Sequence, residues 1–210
     1  MIASRKLDAC QSVAAEVNER FGRDALAVGA NVSSWNDCDA LVAAAYDRFG
    51  RVDVLVNKAG MSPVYPSVDQ VSEALYDKVP STNLKGPFRL TALVGTKMAA
   101  GEGGSVINIS SVEAASPGPN PVPYGAAKAG LEALTVGFMR FFGPKVRVNT
   151  IRCGAFRTDR HPFSLNWSRG GTLRRCVRRR WDRPVRAGRS AALKARLVPQ
   201  KPGMPVDGSF

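Results

Sequence analysis

The sequence is poor in the residues that build metal sites and disulfide scaffolds. It has one His and four Cys in 210 residues, and Cys10, Cys38, Cys153 and Cys176 lie far apart with no C-x-x-C spacing. With His161 as the only His, we expect neither a Ser-His-Asp triad nor a His-rich metal site. We therefore predict no metal, and, because nothing indicates a disulfide framework, a reducing cytoplasm.

Long apolar runs are missing as well. No stretch reaches transmembrane length, and the first residues, Met-Ile-Ala-Ser-Arg-Lys, lack the basic, apolar, small-residue order of a secretion signal. The apolar content of 44% and the charged content of 22% are those of a globular chain, which excludes wholesale disorder and collagen-like repeats. We therefore predict a globular protein without a membrane partner.

Acidic residues are scarce relative to basic ones, and the imbalance is confined to one end of the chain. Residues 1–159 hold 17 Lys and Arg and 15 Asp and Glu, a net charge of +2, whereas residues 160–210 hold 13 and 2, a net of +11. A strongly basic chain usually indicates nucleic acid or an anionic membrane, but here only the tail raises that question. We predict a folded domain over 1–159 and an Arg-rich, irregular tail over 160–210.

Helical and strand patterns alternate along the first 159 residues. Apolar residues at helical spacing predict helices at 7–21, from a Ser34 cap to Phe49, near 69–78 and 83–100, and at 122–142. Short apolar or β-branched runs predict strands at 1–4, 25–30, 52–57, 105–111 and 146–151. This alternation predicts an α/β fold with a doubly wound parallel sheet, in which ligands bind at the carboxyl ends of the strands.

A phosphate-binding loop is missing from the place where a dinucleotide fold would carry it. Such a fold opens with a strand, a Gly-rich turn and a helix, whose first N–H groups hold the pyrophosphate. Here a stub strand at 1–4 runs directly into the helix at 7–21. Residues 101–104 are rich in Gly, but they lead into a strand, so we interpret them as a surface turn.

Tyr124 and Lys128 form the pair best suited to acid/base chemistry. They are four residues apart on the predicted long helix, so they share one face. A Lys ammonium near a phenol stabilises the phenolate and lowers the pKa of the Tyr, which then exchanges a proton with a carbonyl or alcohol near neutral pH. The pair alone is a weak motif, so its context decides. Ser111 ends a predicted strand and is expected to face the same crevice.

Residues 2–159 resemble the short-chain dehydrogenase/reductase family through five ordered motifs. Residues 57–60, Asn-Lys-Ala-Gly, are similar to the family's Asn-Asn-Ala-Gly, with Lys58 replacing the second Asn. Residues 83–86, Asn-Leu-Lys-Gly, match the segment that supplies the family's catalytic Asn.

The remaining three motifs lie in the second half of this region. Ser111 matches the catalytic Ser, and Tyr124 and Lys128 match the Tyr-x-x-x-Lys pair. Residues 148–158 resemble Val-Asn-x-Ile-x-Pro-Gly-x-x-x-Thr, with Cys153 in place of the Pro. The resemblance implies an oxidoreductase that binds NAD(H) or NADP(H) on a Rossmann-type sheet and interconverts a secondary alcohol and a carbonyl.

The resemblance also implies a role for each catalytic residue. Tyr124 would be the proton donor or acceptor, and Lys128 would lower its pKa and hold the ribose hydroxyls of the nicotinamide nucleotide. Ser111 would orient the substrate oxygen, and Asn83 would support a proton relay through water. Taken alone, Asn83 could equally be a helix cap and Ser111 a strand-end turn.

Further positions are implied to bind the cofactor. The resemblance assigns cofactor contacts to Asn57, Ala59, Gly60, Gly154 and Thr158, in addition to Tyr124 and Lys128. Arg5 stands where the family often carries a basic residue for the 2′-phosphate of NADP, so NADP is expected, with NAD as the other choice and a solvated Arg as the plain alternative. Asn31 and Val32 stand where the family usually has Asp-Val beside the adenine, and Asn can still form a hydrogen bond there.

Two differences from the family bear on activity. The first strand-loop-helix unit is not found, which would remove the main pyrophosphate donors and an interior strand of the sheet. After Asp159 the sequence becomes Arg-rich, and residues 204–210 again resemble the family's last strand. Our hypothesis is that residues 160–202 are out-of-frame sequence. A nucleic-acid tail with Trp167 and Trp181 stacking on bases, and a solvated disordered tail, are the alternatives.

Two functions therefore remain open. The first is an NAD(P)-dependent oxidoreductase acting on a small alcohol or carbonyl compound, and the second is a non-catalytic fragment or binding module of the same fold. The family often forms dimers or tetramers through the helices that correspond to 83–100 and 122–142, so the resemblance implies a homo-oligomer. Nucleic acid is the less favoured partner, because the domain at 1–159 is almost neutral.

Overall fold

The computed structural model describes residues 1–119 and 121–154. The predictions that concern residues 155–210, including Thr158 and the basic tail, lie outside the described residues. The strands are β1 Ile2–Ser4, β2 Ala27–Gly29, β3 Val54–Asn57, β4 Gly104–Ser111 and β5 Val146–Cys153. The helices are α1 Leu7–Phe21, α2 Trp35–Phe49, α3 Glu73–Pro80, α4 Gly86–Ala100 and α5 Val122–Phe142.

The ends of the helices follow from local signals in the sequence. The Ser34 side chain accepts a hydrogen bond from the Asp37 N–H and so caps α2. Gly22 and Gly50 end α1 and α2 with φ angles of 59° and 71°, a left-handed conformation that favours Gly. The helices predicted at 7–21 and 122–142 are confirmed with the same bounds.

All described strands are parallel, but they form two sheets rather than one. The first sheet pairs β1 with β2, and the second has the order β3-β4-β5. The predicted α/β architecture with parallel pairing is therefore confirmed. A gap separates β1 from β3, because no described strand hydrogen-bonds to both of these edges.

Helices pack on both faces of the smaller sheet, as a doubly wound fold requires. A Cβ at Gly29 would lie 3.5 Å from the Cβ of Leu7 on α1, so that residue of β2 faces α1. Val28, the preceding residue, packs against the core cluster that contains Leu41 and Val42 of α2. Neighbouring residues of a strand point to opposite faces, so α1 and α2 lie on opposite sides of β2.

One core joins the two sheets. Buried residues of α2 and α4 pack against β4, β5 and the end of α5 in a single cluster: Cys38, Leu41, Val42, Leu90, Val94, Met98, Val106, Phe142, Val146 and Val148. The same two helices are tied at their surface by Arg89, whose Nε and Nη2 donate to the two carboxylate oxygens of Asp39 at 2.6 and 2.8 Å. Helix packing therefore connects the sheets across the gap between β1 and β3.

The middle of the chain differs from its prediction. The sequence predicted two separate helices, near 69–78 and 83–100. In the structure α3 is short and continues without a break into α4 through a π-helical turn, Ser81–Lys85. The wider turn places Asn83 completely inside the fold. A π turn is a rare insertion that apolar spacing does not reveal, and such turns occur often at functional sites.

No helix among the described residues is long and apolar enough to cross a membrane. Within the same residues no group of three or more metal-ligating side chains occurs. Cys10, Cys38 and Cys153 are free thiols.

Candidate active site

The predicted site residues of the second sheet lie at the carboxyl ends of its strands. Ser111 is the last residue of β4, and residues 59–60 and Gly154 follow directly after β3 and β5. Ser111 is in register with Cys153, and Asn57 is in register with Asn108. Since these strands are parallel, their ends form one edge, where an open α/β sheet binds its ligand.

Tyr124 and Ser111 face each other across this edge. Tyr124 lies in the first turn of α5 and is half-buried, whereas Ser111 is buried at the end of β4. Burial raises the pKa of Tyr124, the Ser111 hydroxyl beside it lowers that pKa, and the charges of Glu113 and Cys153 raise it further. The net direction is upward, so the phenol is neutral near pH 7 and can donate a proton.

This result differs from the sequence prediction that Lys128 lowers the pKa of Tyr124. The Lys128 Nζ lies 5.7 Å from the centre of the Tyr124 ring and donates to the carbonyl oxygen of Ile109 at 2.7 Å. Lys128 is buried, and burial lowers the pKa of its ammonium, an effect opposed by Cys153. Desolvation therefore dominates at both members of the pair, and each is shifted towards its neutral form.

Asn83 holds the loop that follows β3. Its Nδ2 donates to the carbonyl oxygens of Met61 and Val79 at 2.8 and 2.9 Å, and its Oδ1 accepts from the Met61 N–H at 3.2 Å. Gly60 lies against this side chain, since a Cβ there would stand 2.9 Å from Asn83 Oδ1 and 3.6 Å from Lys128 Nζ. The structure therefore brings Asn83, Gly60 and Lys128 together.

The other predicted cofactor residues lie at the ends of the smaller sheet. Arg5 follows β1 and is exposed. Asn31 follows β2, where its Oδ1 accepts from the N–H and the hydroxyl of Ser33 at 3.2 and 2.8 Å. The carbonyl of Val32 packs against Gly86 at the start of α4. Among the described contacts, none joins Arg5 or Asn31 to Tyr124, Ser111 or Lys128.

Sequence reasoning missed a buried polar row that crosses the second sheet. Asn57 Nδ2 donates to Asn108 Oδ1 at 2.8 Å, and Asn108 Nδ2 donates to Thr135 Oγ1 at 2.9 Å. Thr135 Oγ1 lies 2.8 Å from Thr150 Oγ1. Asn57, Asn108 and Thr150 share one register line across β3, β4 and β5. The sequence signal that could have revealed this row is a polar residue near the end of each of three successive predicted strands.

A second polar cluster was also missed. The Glu132 carboxylate accepts from the Ser110 hydroxyl at 2.8 Å and from Arg152 Nε at 2.9 Å, and Arg152 Nη2 also contacts it. Burial would raise the pKa of Glu132, but the bonds from Arg152 and Ser110 and the charge of Arg152 outweigh it, so the pKa is lowered. This ion pair fixes α5 against β4 and β5 beside the Tyr124 site.

A cavity between the two sheets does not contain this edge. It has a volume of about 650 Å³ and lies between β1 and β3. Asn57 and Ala59 border it, but Ser111, Tyr124, Lys128 and Asn83 do not. We place the candidate active site where the acid/base groups meet, because chemistry rather than size identifies it.

The sequence matches the model of the short chain dehydrogenase family over residues 1–167. It is 38% identical over 147 residues to the L-rhamnose 1-dehydrogenase (NAD(P)(+)) of Azotobacter vinelandii, covering 69% of this chain and 57% of that protein. It is 36% identical over 163 residues to the trans-4-hydroxycyclohexanecarboxylate dehydrogenase of Sinomonas cyclohexanicum, covering 76% of this chain and 61% of that protein. The chain thus spans less than two thirds of these relatives.

Solved structures agree with the family match. A short-chain alcohol dehydrogenase from Sinorhizobium meliloti superposes with a TM-score of 0.74 at 33% identity, covering 79% of this chain and 66% of that one. An NAD+-bound xylitol dehydrogenase superposes with a TM-score of 0.68 at 26% identity, covering 72% and 58%. Both the family model and the fold lead to the same conclusion: this chain belongs to the short-chain dehydrogenase family.

Proposed function

We propose that this chain is an NAD(P)-dependent oxidoreductase that interconverts a secondary alcohol and a carbonyl compound. The observation that carries the proposal is the meeting of Ser111, Tyr124 and Lys128 between the end of β4 and the first turns of α5. The names of the matched relatives, which are alcohol and sugar dehydrogenases, support the same reaction class.

The proposed chemistry separates a hydride transfer from a proton transfer. A bound nicotinamide dinucleotide supplies or accepts the hydride at the substrate carbon. Tyr124 donates the proton to the developing alkoxide during reduction and accepts it during oxidation. The raised pKa of Tyr124 keeps the phenol in its neutral form near pH 7, the form that can donate this proton. Ser111 orients the substrate oxygen towards the phenol, and Asn83 acts by positioning the loop at 59–61.

The residues around Lys128 fit the nicotinamide end of such a cofactor. Its ammonium has three donors, and among the described residues only the Ile109 carbonyl accepts from it. The remaining N–H groups are available to ribose hydroxyls. Gly60 leaves space directly beside Nζ, where a Cβ would stand 3.6 Å away.

We propose NADP rather than NAD as the preferred cofactor. Arg5 is exposed at the end of β1 and carries the positive charge that a 2′-phosphate requires. Asn31 and Val32 would lie beside the adenosine, and Ala59, Gly154 and Thr158 would contact the remainder, as the family resemblance implies. Replacement of Arg5 by Asp should raise the KM for NADPH more than the KM for NADH, and equal changes would contradict this preference.

A cofactor titration tests the proposed function against its alternative, a non-catalytic fragment of the same fold. NADPH and NADH are titrated into the full chain while the fluorescence of the reduced nicotinamide is recorded. Saturable enhancement, followed by turnover of a panel of prochiral ketones that Tyr124→Phe abolishes, is the expected result. An unchanged fluorescence at millimolar cofactor would favour the non-catalytic fragment. Tyr76→Phe, which alters an exposed phenol, is the matched control.

We also propose that the domain ends near residue 159. A separate proposal is that copies of this chain associate through α4 and α5. An aromatic series runs from Trp35 through Phe88 and Phe138 to Phe142, with centroids 5.6 to 6.2 Å apart. Phe141 beside it is 78% exposed. Such exposed apolar area is typical of an interface. Sedimentation should show a dimer or tetramer that Phe141→Glu dissociates, and a monomeric parent chain would contradict the proposal.

A further inference from the structure

Polar contacts join α5 to the ends of β4 and β5 beside the candidate site. The Lys128 Nζ donates to the carbonyl oxygen of Ile109 at 2.7 Å. One turn further along α5, the Glu132 carboxylate accepts from the Ser110 hydroxyl and from the Arg152 guanidinium. An ammonium and a carboxylate on α5 therefore lie against adjacent residues of β4, yet each of them bonds to a different group.

Lys128 and Glu132 have the spacing at which opposite charges on a helix pair. Side chains at i and i+4 are neighbours, with Cβ atoms about 5–6 Å apart, so a carboxylate at one position reaches an ammonium at the other. The ion pairs found among the described residues nevertheless include none between Lys128 and Glu132. The carboxylate pairs with Arg152 instead. A competing partner thus keeps the two charges of α5 apart.

Arg152 occupies the carboxylate with a fork of two donors. Its Nε donates to Glu132 Oε1 at 2.9 Å, and its Nη2 contacts Oε2. Ser110, the register partner of Arg152 on β4, donates to Oε1 at 2.8 Å. A carboxylate has about four acceptor positions, so these donors leave little capacity for a further cation. Bonding at two points also fixes the direction of the carboxylate, which a single donor does not.

Lys128 retains donors for a ligand because its ammonium is not paired with a described carboxylate. The residue is 3% exposed, and within residues 1–119 and 121–154 its Nζ donates only to the Ile109 carbonyl. Two N–H groups remain for ligand hydroxyls. A carboxylate brought to Nζ in such a sheltered place would bind firmly, since little water screens the charges. It would take up a donor and the space beside it.

We propose that Arg152 is a positioning residue of the proposed reaction: it holds the Glu132 carboxylate at β5 and so keeps the Lys128 ammonium open to the ribose hydroxyls of the cofactor. The inference rests on the proposed function for the identity of the ligand. The choice of Glu132 between Arg152 and Lys128 is a property of the chain alone. Without Arg152 the partly buried carboxylate loses its counter-ion, and an unpaired charge in such a place is costly, so it turns to Lys128.

A purely structural role for the ion pair predicts a different result. If Glu132 and Arg152 only clamp α5 to β5, loss of either partner breaks the same clamp, and loss of both is no better. If Arg152 restrains Glu132, loss of Arg152 is harmful only while residue 132 carries a negative charge. Glu132→Gln should then be mild by itself and should also remove the effect of the Arg152 substitution. Double substitution therefore separates the two roles.

The binding test compares four chains by calorimetric titration with NADPH: the parent, Arg152→Met, Glu132→Gln and the double variant. We expect Arg152→Met to weaken binding about tenfold, and Glu132→Gln and the double variant to stay within about threefold of the parent. If Arg152→Met does not fold, Arg152→Thr, which suits a strand, makes the same comparison. Equal weakening in the Arg152 variant and the double variant would overturn the proposal.

Net charge requires its own control, because Arg152→Met removes a positive charge that attracts any anionic dinucleotide. Glu132→Gln restores the net charge in the double variant. The combination of Arg152→Met with Glu16→Gln restores it equally, at an exposed Glu of α1 that pairs with Arg20. This control should bind NADPH as weakly as Arg152→Met alone. Recovery of binding in it would show that general attraction, and not access to Lys128, explains the effect.

A measurement on Lys128 itself needs no cofactor. The ammonium is titrated by NMR of isotope-labelled Lys side chains, and Lys128→Met assigns the signal. Burial lowers the pKa of Lys128 in the parent chain, against the effect of Cys153, and a carboxylate at Nζ would stabilise the ammonium. Arg152→Met should therefore raise the pKa of Lys128, and the double variant should return it to the parent value.

The two measurements separate this inference from the proposed function. An unchanged pKa of Lys128 in the folded Arg152→Met chain would refute the exchange of partners, whatever the cofactor does. Absence of NADPH binding in the parent chain, together with the expected pKa changes, would contradict the proposed function and would leave the restraint of Glu132 by Arg152 in place.

Discussion

Replacement of Asn83 by Ala should destabilise the chain at one identifiable loop. The Asn83 side chain is fully buried and makes three hydrogen bonds, two with the Met61 backbone and one with the Val79 carbonyl. A hydrogen bond of this kind contributes about 1 kcal/mol, so the loss of three costs about 3 kcal/mol. For a chain of this size, that corresponds to a decrease in Tm of roughly 6–12 °C.

Two measurements check this value. Thermal unfolding followed by circular dichroism gives the change in Tm, and hydrogen exchange gives the protection of the Met61 amide, which now donates to Asn83 Oδ1. We expect faster exchange at Met61 than in the parent chain. Asn83→Asp should be more harmful than Asn83→Ala, because it loses both Nδ2 bonds and introduces a buried charge.

A matched control separates this effect from general helix weakening. The Thr96 hydroxyl donates to the Ala92 carbonyl on the exposed side of α4, so Thr96→Ala also removes one side-chain bond. Its effect should stay within about 0.5 kcal/mol, as for most surface substitutions. A Tm for Asn83→Ala within about 2 °C of the parent value, together with unchanged Met61 exchange, would refute the reasoning.

Three further predictions concern neighbouring positions. Gly60→Ala should weaken cofactor binding about tenfold, because its Cβ would stand 2.9 Å from Asn83 Oδ1 and 3.6 Å from Lys128 Nζ. The control Gly137→Ala has open space around it and should slightly raise Tm. Equal effects of the two substitutions on cofactor binding in calorimetric titration would contradict this prediction. Lys128→Met should abolish turnover while keeping or raising Tm, because a buried ammonium is costly; a large fall in Tm would contradict it. The raised pKa of Tyr124 should make the parent chain lose stability relative to Tyr124→Phe as pH rises above 10, where the unfolded phenol ionises first; parallel Tm curves from pH 8 to 11 would contradict this.

Local signals explain how much of the fold could be predicted from the sequence. The ends of α1 and α2 follow from the Gly residues after them, and α5 follows from a long apolar stripe, so these bounds were predictable. The π turn at Ser81–Lys85 was not, since its spacing resembles that of a continuous α-helix. The separation of β1 from β3 agrees with the sequence expectation that an interior strand of the sheet is not found.

The candidate site, like the fold, could be predicted from the sequence only in part. Tyr124, Lys128 and Ser111 could be identified because their spacing and residue types carry the chemistry, and the structure brings them to one edge. The pKa of Tyr124 could not be predicted, since its direction depends on burial rather than on the nearby Lys. Asn108 was missed because a polar residue inside a strand gains meaning only when register places it beside Asn57 and Thr150.

The buried polar row connects the loop after β3 to β5. Asn57 stands at one end of the row, while Thr150 stands at the other end on β5. Asn57 is also followed by the loop at 59–61, which Asn83 holds against Lys128. The row therefore fixes the end of β3, and with it the start of the loop that carries Gly60.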